Sequence, residues 1–167
     1  MLARTDLERG RFARLVGAGN DEIGVLFATS EGENIVAYAL DLGPKDNVLL
    51  DELRYETEFV LYRQLAKTRG VELRVAKAVD GAVPPRAFEA LVDIAHAHGA
   101  LLYADAIQAV GMFPIDRRWQ GVDVLCCGTY TWLLGGFGVA PFYVRRDLPE
   151  QIRLDRFGAL PVERDLA

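Results

Sequence analysis

The sequence predicts an α/β fold built on a mostly parallel sheet. Short β-rich runs alternate with stretches of helical periodicity, the pattern of βαβ units. Apolar residues make up 51% and charged residues 26% of 167 positions, a soluble globular balance with length enough to bury one core.

Each element has its own signal. Thr5 is placed to cap a first helix through about Val16, with Leu7, Phe12, Leu15 and Val16 along one side. Gly24 to Ala28 reads as a short strand, and Thr29-Ser30-Glu31 opens a helix to about Leu42 that Gly43-Pro44 stops. Asn47 to Leu50 is a second strand. Tyr55 to Arg69 carries the clearest amphipathic pattern, with Phe59, Tyr62, Leu65 and Ala66 at helical spacing and Gly70 as its end. Glu72 to Ala76 is a third strand, followed by a turn at Val79-Asp80-Gly81. Pro84-Pro85 begins a helix through Phe88, Leu91, Val92 and Ile94 that ends near His98-Gly99. Strands are expected at Ala100 to Ala104, Val122 to Cys127 and Gly138 to Val144, then a charged helix from Asp147 to Arg156 and a weakly tethered tail.

Charge and cysteine usage narrow the function. A net charge of −5 lacks the basic excess of a nucleic-acid footprint, and Arg117-Arg118 and Arg145-Arg146 are isolated pairs. No apolar run spans a bilayer and the first residues lack a secretory pattern, so a cytoplasmic chain without a membrane partner is expected. Cys126 and Cys127 are adjacent, point to opposite faces of a strand and make no disulfide framework. Gly17-Ala-Gly19 lacks the third glycine of a dinucleotide fingerprint, and His96 and His98 do not share a helix face.

The residues that could carry chemistry cluster at strand ends. Asp105 follows the strand Leu101 to Ala104, where ligands bind in open α/β sheets, and Gln108 lies one turn on. A carboxylate there can pair with a pyridinium nitrogen; its plainer role is to cap the next turn. Thr29-Ser30 at a helix start offers free amides and hydroxyls to a phosphate, or Ser30 is an ordinary N-cap. Tyr55 opens a helix and could stack on a ring or simply pack. Thr129 and Tyr130 add hydroxyls, and Gly135, Gly136 and Gly138 either admit a close backbone approach or form a flexible turn.

Taken together, Asp105-Ala-Ile-Gln108, Cys127-Gly-Thr-Tyr130 and Thr131-Trp-Leu-Leu-Gly135-Gly-Phe-Gly138 resemble the pyridoxal-phosphate site of class V aminotransferases, the family of cysteine desulfurases and kynureninases. The resemblance runs from about Leu15 to Val144 with one interruption. It implies the three-layer α/β/α large domain of fold type I enzymes, over residues 1–146, with residues 147–167 leading toward a smaller carboxy-terminal domain that is absent. It assigns Asp105 to the ring nitrogen, Gln108 to the ring hydroxyl, Thr29, Ser30, Thr129 and Tyr130 to the phosphate and Tyr55 to the ring face. It also implies an amino-acid substrate and a homodimer or pairing with a full-length relative.

The sequence departs from the family in three places. Thr131 stands where the family has the lysine that holds the cofactor covalently, and the three lysines here, Lys45, Lys67 and Lys77, all precede it by more than fifty positions. The helix at 86–92 runs straight into the one ending at His98, where relatives carry another, interior strand. Its loss leaves either two other strands paired directly or an unpaired interior edge. The smaller domain, which usually supplies an arginine for the substrate carboxylate, is missing. The expectation is a pyridoxal-phosphate protein that binds its cofactor non-covalently at best and is impaired in amino-acid chemistry, a pseudoenzyme. The alternative is a non-catalytic truncated homologue acting as partner subunit or scaffold.

Overall fold

The computed structural model describes residues 2–78, 92–115 and 121–150. In chain order these form α1 (Leu2–Val16), β1 (Ile23–Leu26), α2 (Thr29–Ala39), β2 (Asn47–Asp51), α3 (Glu56–Arg69), β3 (Glu72–Ala76), β4 (Tyr103–Asp105), β5 (Val124–Cys126) and β6 (Ala140–Val144). Residues 92–97 are also helical, and Leu148–Glu150 is a single 3-10 turn. The turn expected at Val79-Asp80-Gly81, the start of the helix at Pro84-Pro85 and most of the helix from Asp147 to Arg156 fall outside the described residues.

Local chemistry accounts for the helix ends. Gly70 closes α3 in the left-handed conformation at φ 74°, which costs glycine nothing, and its N–H bonds back to Ala66. Gly17, at φ 70°, ends α1 rather than following a strand, so the Gly17-Ala-Gly19 run is a helix stop.

The sheet is mixed and divided. β1, β6, β5 and β4 lie side by side in that order, with β6 antiparallel to both neighbours and β4 parallel to β5. β2 and β3 form a separate parallel pair, Asn47 opposite Glu72 through Asp51 opposite Ala76. Among the described residues β4 and β2 do not pair, which is the second of the two outcomes that the fused helix implied.

Strand alternation builds three layers. Leu125, Cys127 and Ile23 face α1, meeting Phe12, Ala13 and Val16. Val124, Cys126, Ala140 and Phe142 face the opposite side and meet Val36 of α2. Gly32 lets α2 lie tight on that face, since a Cβ there would meet the Phe142 ring at 3.0 Å and Cys126 Sγ at 3.1 Å. Ala37 packs with Leu61, Tyr62 and Leu65 of α3 over Leu50 of β2. α2 therefore covers both sheets at once. Both cysteines are free and buried, on opposite faces, and burial pushes each thiol up to about 12, which leaves neither a nucleophile at neutral pH.

Candidate functional site

The carboxyl ends of β4 and β2 and the amino end of α2 meet in one place. Asp105, the last residue of β4, is half-buried; its Oδ1 accepts the N–H of Ile107 at 3.0 Å, and the Thr29 hydroxyl donates to the same carboxylate. Asp105 thus caps its turn and faces the first residue of α2. Burial raises its pKa above the ordinary carboxylate value, against the Ile107 N–H, the Thr29 hydroxyl and the Arg54 charge, which favour ionisation.

α2 begins without a side-chain cap, because its N-cap is Ala28, which has no oxygen to offer. Ser30 lies inside the first turn and is exposed; it is not the N-cap. Glu31 reaches back to the N–H of Phe27 at 2.9 Å and its own N–H turns to the Ala28 carbonyl, so the positive pole of the helix is presented by the amides of Thr29 and Ser30. Tyr103 donates its hydroxyl to the Thr29 carbonyl at 3.3 Å, tying α2 to β4.

The loop after β5 closes against the turn after β4. Thr131 donates its hydroxyl to the Ile107 carbonyl at 2.7 Å, and Trp132 Nε1 donates to Gln108 Oε1 at 2.9 Å. Tyr130 stacks on Phe137 with ring centroids 4.5 Å apart. Thr129 is committed to backbone, its hydroxyl lying 3.0 Å from the Gly136 carbonyl and 3.1 Å from that of Val139. Tyr55 is the N-cap of α3 and 73% exposed, with no ring contact among those described. Of the residues that the sequence singled out, only Thr29 bonds Asp105 directly; Thr131 bonds the Ile107 carbonyl and Gln108 bonds Trp132, which ties the two loops together, and no described bond joins Ser30, Tyr55, Thr129 or Tyr130 to Asp105.

A buried charged group beneath these residues escaped the sequence reading. Arg54 Nη1 bonds Glu58 at 2.8 Å and Nε bonds Asp51 at 2.9 Å, while Nη2 reaches the Tyr103 carbonyl at 3.4 Å. Burial opposes the guanidinium charge, but Glu58 and Asp51 outweigh it and keep Arg54 protonated. Glu33, only 3% exposed, hydrogen-bonds Tyr62, and its Oε1 has no partner among the described residues. Burial, reinforced by the Glu58 charge, lifts Glu33 to about 8. Its signal was present: Glu33, Val36 and Ala37 lie on one face of α2, so the buried stripe includes an acid.

Beyond this cluster, His96 Nε2 meets the fully buried Asp123 at 3.1 Å, and Arg145 Nη1 holds the other oxygen of the same carboxylate at 2.5 Å. His98 turns instead to the carbonyl of Ile94. Among the described residues no helix is long and apolar enough to cross a membrane.

Comparison with known proteins places this arrangement. The model of the family Aminotransferase class-V matches residues 4–90 and 79–164, two blocks that overlap on this chain. An uncharacterized aminotransferase, YcbU, of Bacillus subtilis (strain 168) is 27% identical over 178 aligned positions, covering 91% of this chain and 47% of the relative. A cysteine desulfurase of Haloferax volcanii is 26% identical over 85% of this chain and 41% of its own length. Among solved structures, the apo cysteine desulfurase of Thermococcus onnurineus NA1 superposes with a TM-score of 0.80 at 20% identity, over 92% of this chain and 46% of that one. A lysine-to-alanine mutant of C-DES, with glycine covalently linked to its PLP cofactor, gives 0.78 at 16% identity over 90% and 48%. The chain spans about half the length of the curated relatives it matches. Its layers are those of the fold type I cysteine desulfurases. With the family pattern running from residue 4 to residue 164, the chain belongs to the class-V aminotransferase family.

Proposed function

We propose that this chain binds pyridoxal 5'-phosphate without a covalent tether and is impaired in the amino-acid chemistry of its family. The carrying observation is the contact between Asp105 and Thr29, which joins an acid at a strand end to an uncapped helix amino terminus. The residues fit such a group in two respects. The amides of Thr29 and Ser30 and the exposed Ser30 hydroxyl suit a phosphate, while the Thr29 hydroxyl stays on Asp105, and Asp105, when ionised, suits a protonated ring nitrogen. Gln108 borders the ring position and Tyr55 is free to cover a face. Thr129, whose hydroxyl already serves its own loop, contributes by shaping the turn rather than by donating to a ligand.

When bound, pyridoxal phosphate withdraws electrons from an amino-acid substrate. This chain's residues bind and orient, with Asp105 holding charge opposite the ring. A positioned proton-transfer group contributes about 10²–10⁴ in rate, and a threonine at 131 supplies neither that group nor an amine. The described lysine nearest in sequence, Lys77, is paired with Glu52 at 2.8 Å at the end of β3. The C-DES mutant supports the reading, since that protein carries PLP with one of its lysines replaced.

The test is calorimetric titration of the purified chain with pyridoxal phosphate, against pyridoxal without the phosphate. Binding that needs the phosphate and weakens in Asp105→Asn supports the reading; equal binding of both compounds, or none, overturns it.

A second reading, a partner subunit for another copy or a full-length relative, is favoured by an exposed apolar surface. Leu134, Phe137 and Phe27 are 92%, 85% and 77% exposed, and Phe27 lies against Gly138 beside the stacked Tyr130–Phe137 pair. Light scattering of wild type and Phe137→Ser tests it: a dimer that the variant dissociates supports it, and a monomeric wild type does not.

A further inference from the structure

We propose that Arg54 is a positioning residue for Asp105: its guanidinium holds the strand that carries this carboxylate and supplies the positive charge behind it. The role deepens the cofactor reading above and rests on it for affinity, whereas the hold on Asp105 itself is independent of any ligand.

Two side chains of β4 hold the same residue of α2. Tyr103 and Asp105 lie two positions apart on a strand, so they face one side. The Tyr103 hydroxyl donates to the Thr29 carbonyl at 3.3 Å, and the Thr29 hydroxyl donates to Asp105. The Tyr103 carbonyl is taken in turn by Arg54 Nη2 at 3.4 Å. β4 is thus fixed through its backbone by Arg54 and through two side chains by α2, and the carboxylate at its end inherits both constraints.

The other two guanidinium bonds account for an arginine at this position. Nε donates to Asp51, the last residue of β2, at 2.9 Å, and Nη1 donates to Glu58, in the first turn of α3, at 2.8 Å. Three fixed donor directions therefore meet three elements, β2, α3 and β4. A planar fork does this; the single compact ammonium of a lysine does not. The Arg54 side chain is 19% exposed and that of Glu58 4%, so water and salt screen their pairing little.

Arg54 is also the charge that favours ionised Asp105, against the burial that raises it. The other titratable groups acting on this carboxylate are uncharged near neutral pH or already paired. Burial lifts Glu33 of α2 to about 8 and Cys126 and Cys127 of β5 to about 12, and it raises Tyr103 of β4 as well. Glu58 of α3, itself raised by burial, is paired with Arg54. Removing the guanidinium charge therefore moves the Asp105 titration upward, and any binding that needs the ionised carboxylate begins at a higher pH.

The measurement is carbon NMR of the Asp105 carboxyl across pH in the full chain without cofactor, the signal assigned with Asp105→Asn. Glu58→Leu leaves Arg54 its bonds to Asp51 and Tyr103, and is the reference for Arg54→Met/Glu58→Leu, in which the buried acid has gone with its partner. The Asp105 midpoint should lie higher in the double variant by roughly half a pH unit or more. The pH at which pyridoxal-phosphate affinity sets in should move up with it. Arg54→Lys should keep the midpoint near that of the wild type while weakening affinity about three-fold or more, because the charge stays and the hold on the Tyr103 carbonyl goes. Equal midpoints in the two Glu58→Leu chains, or wild-type affinity in Arg54→Lys, overturn the role. If pyridoxal phosphate binds none of the chains, the cofactor reading fails, and the midpoints in the cofactor-free chains still test the hold on Asp105.

Discussion

The hydroxyl of Thr131 donates to the carbonyl of Ile107 at 2.7 Å, so the residue that the sequence resemblance aligns with the family lysine is spent on holding one loop against another. Thr131→Lys gives up that bond, worth about 1 kcal/mol, and supplies an amine on the loop that packs against Ile107, whose N–H Asp105 accepts. After incubation with pyridoxal phosphate and borohydride reduction, peptide mapping should find cofactor mass on residue 131 of the variant. The wild type should carry none in the peptide spanning 121–150. A folded variant left unlabelled would show that no pocket surrounds position 131.

Asp105 titrates above the usual carboxylate range because of burial, and only its ionised form pairs with a ring cation. Affinity for pyridoxal phosphate should therefore rise with pH through that raised value. Asp105→Asn should remove this dependence and weaken binding about ten-fold or more, the loss of one charge-assisted hydrogen bond. Calorimetry across pH 4 to 8 reads both effects, and a parallel pH profile in the variant argues against the carboxylate.

Glu33 gives the fold itself a pH dependence. The folded chain keeps a proton that the unfolded chain releases above about 4.5, and holds it up to about 8. Stability is therefore fully present below the lower value and declines as pH rises through that window, by an amount on the order of a few kcal/mol. Glu33→Gln stays neutral throughout and should flatten the melting temperature between pH 5 and 8.5. If the wild type melts higher at pH 8.5 than at pH 5, the protonated reading fails.

Removing Arg54 strands Glu58, only 4% exposed, without its counter-charge. Arg54→Met should cost about 3–5 kcal/mol, while the double variant with Glu58→Leu should recover most of that loss. Urea unfolding of the four-member cycle measures the coupling, and additive losses would mean that the pair is not coupled.

Much of the framework is legible in the sequence because it rests on local rules. The 3.6-residue stripe of α3 with Gly70 behind it, the strand at Glu72–Ala76, and the end of the first helix near Val16 depend on neighbours a few positions away. Strand ends were less legible: β4 starts at Tyr103 rather than Ala100, because Leu102 spends its N–H on the Asp123 side chain instead of a ladder. The Asp105–Thr29 juxtaposition rests on a resemblance, since the two are 76 positions apart and no periodicity links them. Arg54 and Glu58 carry no local signal in the sequence, because it is the packing of α2 and α3 together that buries them. The hydroxyl of Thr129 looked available in sequence, yet a tight loop with Gly135 and Gly136 consumes it.

Val36 and Ala37 are neighbours on α2 that serve different sheets. That makes the helix a common beam across a divided floor, so any shift along its axis moves both halves together.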